Sequence, residues 1–175
     1  MESNVKYLVD ANVLITAYRQ YYGFDIVPSF WREILPLFSG SVCILDKVWK
    51  ELVPNEKRDA DELGQWLLTH EKDIKRISTQ DREVIQNYGY VLNFLNESEA
   101  YTKKALDAWS PANIADPWLI AAAKKYNAII VTNETETPSP VNNPINKPKI
   151  PTVAKHFAVI TINTYELMRK CNIKI

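Results

Sequence analysis

The apolar residues of this chain fall into two patterns that take turns along its length. Short unbroken runs read as strands: Tyr7-Leu8-Val9 closing on Asp10, Val42-Cys43-Ile44-Leu45, Ala128-Ile129-Ile130-Val131-Thr132, and the stretch from Phe157 to Ile162, with a weaker strand at Ile74–Ile77. Between them, apolar residues recur at helical spacing. Asn12 is placed to cap a helix carrying Val13, Leu14, Ala17, Tyr18 and Tyr21 on one face. A second helix is expected from Ser29 to Phe38, ended by Gly40, and a third from Asp46, with Val48, Trp49 and Leu52 inward and a stop near Pro54. Further helices are expected over Asp59 to His70, from a Thr79 cap through Leu95, from Glu99 to Trp109, from an Asp116 cap with Pro117 at the first helical position, and from Thr164 to about Cys171.

Strands that lack in/out alternation are buried on both faces. Strand–helix alternation with such strands predicts an α/β fold: a three-layer α/β/α sandwich around a short, mostly parallel sheet of four to five strands. One domain over residues 1–175 is expected, without internal repeats. The segment from Thr135 to Pro151 stands apart, because it holds five of the chain's ten prolines. A loop that long inside a compact domain is usually functional or mobile.

Composition narrows the function classes. Apolar residues make up 46 % of the 175, enough for a real core and too many for a disordered chain. The 21 basic residues are balanced by 21 acidic ones, which argues against non-specific coating of nucleic acid but not against a local basic surface beside a site. Met1 to Lys6 lacks the basic start and apolar run of a secretory signal, and no stretch reaches the ~18 apolar residues of a membrane span. Cys43 and Cys171 have no metal-binding spacing, so a reduced, cytoplasmic setting is expected. His70 and His156 lie far apart, which disfavours a zinc site. Only four glycines are present and none cluster, which removes phosphate-loop and dinucleotide-binding readings.

The chemistry then rests on carboxylates. In doubly wound sheets, ligands bind outside the carboxyl ends of the strands. Asp10 ends the first strand, Glu134 follows the Ala128–Thr132 strand, Asp116 opens the helix feeding that strand, and Glu51 lies on the helix after the second strand. Glu51 stands roughly 110° around that helix from the centre of its apolar stripe, so it reaches over the helix flank. Each has an ordinary alternative: Asp10 as a strand end, Asp116 as a helix cap, Glu51 as a solvated surface residue, Glu134 as a loop residue. Their joint placement is what suggests a site. Carboxylates held within ~4 Å repel by ~1 kcal/mol per pair in water and ~4 kcal/mol near a protein surface. A hard divalent cation such as Mg²⁺ or Mn²⁺ relieves this and prefers oxygen ligands.

Four segments resemble the motifs of PIN-domain ribonucleases: Tyr7-Leu8-Val9-Asp10-Ala11-Asn12, Val48-Trp49-Lys50-Glu51-Leu52, Asn113 to Ala121 around Asp116-Pro117, and Ile130-Val131-Thr132-Asn133-Glu134. The resemblance runs from about Lys6 to Ile162, and VapC-like toxins of toxin–antitoxin pairs are the nearest type. It implies an RNA hydrolase using one or two Mg²⁺ or Mn²⁺ ions, with Asp10 and Asp116 as direct ligands, and Glu51 and Glu134 binding directly or through water. Asn12 and Thr132 would orient water or phosphate, against the ordinary roles of a helix cap and a strand-end hydrogen bond; Glu136 is a spare acid, and the products would carry a 5′-phosphate and a 3′-hydroxyl. The resemblance also implies an antitoxin partner and a homodimer, for which Tyr18, Tyr21 and Tyr22 offer an apolar surface. Two departures stand out. The fourth acid is more often aspartate than glutamate, and the Pro-rich segment is longer than in a compact VapC.

Arg19, Lys47, Lys50, Lys147 and Lys149 are the cations placed to rim the carboxyl edge for RNA. The tryptophans, Trp31, Trp49, Trp66, Trp109 and Trp118, are expected to pack in the core. An acid-tipped first strand also opens phosphoaspartate enzymes. A haloacid-dehalogenase-type phosphatase, however, resembles Asp-x-Asp-x-Thr/Val there, and this chain has Asn12 and Leu14 at those places. A receiver domain would need a third-strand aspartate and a later lysine, and no such set is present. The remaining alternative is a catalytically weak or inactive PIN-like module that binds RNA or protein.

Overall fold

A computed structural model describes residues 6–53, 60–137 and 143–175. In chain order the elements are β1 (Tyr7–Val9), α1 (Ala11–Thr16) continued by one π-helical turn (Ala17–Tyr21), α2 (Pro28–Phe38), β2 (Val42–Leu45), α3 (Asp46–Leu52), α4 (Glu62–Thr69), β3 (Arg76–Ile77), α5 (Arg82–Glu97), α6 (Lys103–Trp109), α7 (Ala115–Tyr126), β4 (Ile129–Val131), α8 (Ile150–His156), β5 (Thr161–Ile162) and α9 (Thr164–Lys170). The strands form one five-stranded sheet in the order β3-β2-β1-β4-β5, and every pairing is parallel. All residues of β1 and β2 are buried. That requires cover on both faces of the sheet and gives the three-layer, PIN-like arrangement expected from the unbroken apolar runs.

The strand order creates the site's location. The chain moves outward from β1 to β2 and β3, then returns past β1 to lay down β4 on its other side. β1 and β4 are therefore neighbours at a topological switch point, where a crevice opens at the carboxyl ends. Their register pairs Val9 with Val131, so the next residues, Asp10 and Thr132, emerge side by side.

α7 runs back towards the start of β4, and its N-terminus is thereby brought to the same edge. It is buried almost all round, from Pro117 through Ala123, and its alanines let α5 approach closely. Asn87 of α5 donates to the Ala121 carbonyl at 3.3 Å, and Tyr88 stacks on Trp118 with ring centres 3.8 Å apart. Asn127 ends α7 in the left-handed conformation (φ 48°), one of the few non-glycine residues suited to that turn.

Several boundaries differ from expectation, each for an identifiable reason. Thr79 does not cap α5. Asp81 does, accepting from the Glu83 and Val84 amides at 2.9 and 3.2 Å. Thr79 instead donates its own N–H and hydroxyl to Asp46 Oδ2 at 2.9 and 3.0 Å, tying the end of β3 to the start of α3. The helix expected from Glu99 begins only at Lys103, because Tyr101 forms a bridge with Ile145 of the Pro-rich segment. That segment ends as a loop before Ile150, where α8 begins with Pro151 in its first turn; residues 138–142 lie outside the described residues. So do Pro54, the expected stop of α3, and Asp59, the expected start of α4; α4 is capped by Asp61, which accepts from the Gly64 amide.

Core packing is as expected for Trp31, Trp49, Trp109 and Trp118, all buried, and Trp66 joins a ring cluster with Trp31 and Phe24. Cys43 is a buried free thiol. The tyrosine surface proposed for self-association is smaller than expected. Tyr22 is buried and stacks on Phe30, and Tyr18 donates to Glu62, so of the three only Tyr21 is well exposed. Among the described residues no helix is long and apolar enough to cross a membrane.

Candidate active site

Asp10 follows the buried run of β1 and is itself only 4 % exposed. It occupies the cap position of α1 but makes no capping bond. Its Oδ2 instead accepts the Thr132 hydroxyl at 2.7 Å, across the β1–β4 boundary. Thr132 is the junction of a small network. Its Oγ1 also lies 3.4 Å from Asn12 Nδ2 and 3.2 Å from the Glu134 amide, and Asn12 Oδ1 accepts the Asn133 amide at 3.2 Å. Asn12 is thus inside α1 rather than capping it, and its amide fixes the turn after β4. Asn133 Oδ1 in turn accepts the Thr164 hydroxyl at 2.8 Å, linking that turn to α9.

Asp116 is the second residue of α7, with Ile114 at the cap position, and it makes no capping bond. The capping alternative therefore does not account for it. Burial in the first place, and the charges of Glu134 and Glu51 in the second, push its carboxyl from an ordinary 3.8 up to about 6; Lys149 acts in the opposite sense. Asp10 is pushed further, to about 7, chiefly by burial and then by Asp116, Glu134 and Glu51, against the lowering effect of the Thr132 bond. The four acids named from the sequence thus lie within one another's fields. Glu51 lies on the outer flank of α3, exposed at the residue level, yet the walls around its carboxyl raise it by desolvation. Glu136 faces Lys155 at 3.1 Å and contributes to neither aspartate.

A cleft of about 850 Å³ opens between α3 and the start of α7, lined by Lys47, Lys50, Glu51 and the residues from Ala112 to Asp116. Two of the five candidate cations therefore line this cleft. Lys47 is held with its ammonium 5.3 Å from the Trp118 ring centre. Arg19 is paired with Asp61 at 3.4 Å and does not line the cleft, and Lys147 is exposed on the Pro-rich segment. Lys149 bonds Glu134 Oε1 at 2.6 Å, while Glu134 Oε2 accepts the Ile150 amide at 2.8 Å.

The donor set is all oxygen and all acidic, which suits a hard divalent cation. Among the described residues, no three acids converge at metal-bonding spacing. Mg²⁺ does not need three, since it commonly keeps several waters and binds through one or two carboxylates. The raised values of Asp10 and Asp116 fit such a role: one is buried and the other half-buried, and neither makes an ion pair among the described residues.

Lys149 is expected from the sequence to rim the edge for RNA, but not to pair with Glu134. The pairing of Lys149 with Glu134 spans 15 residues across a segment with no periodicity; its one signal is Pro151, a proline in the first turn of an unrecognised helix.

Fold and edge chemistry together define an α/β protein of PIN-like architecture with acids at the switch point. Over residues 7–175 the chain matches the family described as a domain of unknown function, DUF4411, and it belongs to that family. None of the curated proteins matches the sequence. Among solved structures, the fold is similar to that of a chain in the crystal structure of VapBC2 from Rickettsia felis bound to a DNA fragment from their promoter. The TM-score is 0.55 at 16 % identity, over 91 % of this chain and 98 % of that one.

Proposed function

We propose that the protein is a Mg²⁺- or Mn²⁺-dependent ribonuclease acting as the toxin of a type II toxin–antitoxin pair. The observation that carries this reading is the pair at the switch point, Asp10 buried and Asp116 half-buried, raised to about 7 and about 6. A fold can accommodate that much carboxylate desolvation and repulsion without function, but perturbed acids in a cleft are a mark of functional sites. The adjoining lysine-lined cleft supports a phosphate-bearing substrate, and likeness to a chain of the Rickettsia VapBC2 structure supports the toxin assignment.

Asp10 and Asp116 are the residues that would hold the ion, with Glu51 reaching it from α3. A divalent ion, when bound, supplies a nucleophile at neutral pH and polarises the phosphodiester. Thr132 fixes the Asp10 carboxylate through its hydroxyl, so the ligand is presented in one orientation. Lys47 and Lys50 hold the RNA backbone along the cleft, as point charges suited to phosphate. Hydrolysis on this reading leaves a 5′-phosphate and a 3′-hydroxyl. The partner is a small antitoxin with a DNA-binding part, whose arm covers the acids.

Purified protein given labelled RNA with Mg²⁺ or Mn²⁺ is expected to cleave it, and EDTA to stop the reaction. The inactive binding-module reading is favoured by one observation, that both Glu134 oxygens are already engaged. RNA binding without cleavage in either metal would select it.

A further inference from the structure

Both oxygens of Glu134 are in use, and the group using one of them is a cation. Oε1 takes the Lys149 ammonium at 2.6 Å and Oε2 takes the Ile150 amide at 2.8 Å, short charge-assisted bonds. The Glu134 side chain is 17 % exposed and that of Lys149 43 %, so the pair sits at the wall of the site with the ammonium still open on one side. Lys149 is not a free-swinging lysine. Upstream, the segment carrying it is anchored where Ile145 pairs with Tyr101; downstream, Ile150, Pro151, Val153 and Ala154 of α8 are buried. Its charge also reaches Asp116. A divalent ion placed on Glu134 would have to sit against this ammonium.

We propose that Lys149 is the built-in cation of the active site. It holds Glu134 in the place where a second divalent ion would otherwise bind and presents its ammonium to the scissile phosphate, leaving one ion site at Asp10 and Asp116. Glu134 is then an anchor for Lys149 and for the start of α8, not a metal ligand. This inference rests on the ribonuclease reading, yet it concerns how many ions bind and where, which is measurable without RNA.

The test is Mn²⁺ binding to the full-length chain, followed by calorimetry and by electron paramagnetic resonance of free Mn²⁺. Wild type is expected to bind one ion per chain. Glu134→Gln, which keeps an acceptor for Lys149, is expected to retain that ion within about threefold in affinity. Lys149→Met is expected to gain a second ion, and Lys149→Arg to remain at one. Two ions on wild type, loss of affinity of about tenfold or more in Glu134→Gln, or an unchanged single ion in Lys149→Met would each overturn the proposal. Circular dichroism checks folding; should Lys149→Met not fold, wild-type stoichiometry and Glu134→Gln still decide. Two ions with intact RNA cleavage would overturn this inference and leave the ribonuclease reading standing, whereas no ion and no cleavage would overturn both.

Discussion

Asp10 shows how one residue couples fold to chemistry. It sits where the fold needs a buried strand end, and its carboxyl is held at about 7 rather than the ordinary 3.8. An acid whose folded value is raised takes up protons on folding. Its contribution is most favourable below the ordinary value and is lost as pH rises through the folded one. With Asp116 shifted in the same sense to about 6, the metal-free protein should lose stability, on the order of a few kcal/mol, between about pH 4 and pH 7. Asp10→Asn should flatten that slope and raise the melting temperature at pH 8 without metal, and added Mg²⁺ should stabilise wild type there but not the variant. A melting temperature independent of pH across this window would count against the raised acids. Thr132 offers a second check. Its hydroxyl serves Asp10, the Glu134 amide and Asn12, so Thr132→Val leaves buried partners unsatisfied and should cost about 1–3 kcal/mol in denaturant unfolding. Asp10 and Thr132 are each legible as the end of an unbroken apolar run, and so as residues of the carboxyl edge. That the hydroxyl would bond the carboxylate is not, since sequence does not give register.

At the scale of elements, the strongly patterned pieces were readable and the locally weak ones were not. The apolar runs of β1, β2 and β4, and the periodicity of α1, α2 and α7, each place their buried faces without help from distant residues. Failures gathered where long-range contacts override local preference. Thr79 has the chemistry of a cap, yet Asp46 claims both of its donors, and Asp81 takes the cap. Asp46→Ala should therefore leave the buried Thr79 amide and hydroxyl without their acceptor. A loss of about 1–3 kcal/mol is expected in equilibrium unfolding; an unchanged midpoint would mean that solvent replaces the carboxylate. The Pro-rich segment was read as a loop because prolines interrupt every periodicity in it. Its structured parts, a short bridge at Ile145 and the start of α8 behind Lys149, depend on partners at Tyr101 and Glu134 that lie far away in sequence.

At the scale of the whole molecule, five parallel strands in the order β3-β2-β1-β4-β5 gather acids from four separate stretches of chain onto one edge. No single stretch carries a distinctive motif, which is why the four acids were visible only as a set and why Glu134, the least typical of them, turned out to have a partner of its own. The lysines of the cleft add a whole-surface prediction: Lys47→Ala with Lys50→Ala should weaken RNA binding uniformly across sequences and reduce its salt dependence, measured by titration at several ionic strengths. The decisive measurement is RNA cleavage in Mg²⁺ or Mn²⁺, with wild type beside Asp10→Asn and Asp116→Asn. Metal-dependent hydrolysis at Asp10 and Asp116 requires cleavage by wild type, abolished by EDTA and reduced by at least about a hundredfold in each variant. Cleavage by both variants at the wild-type rate would contradict it.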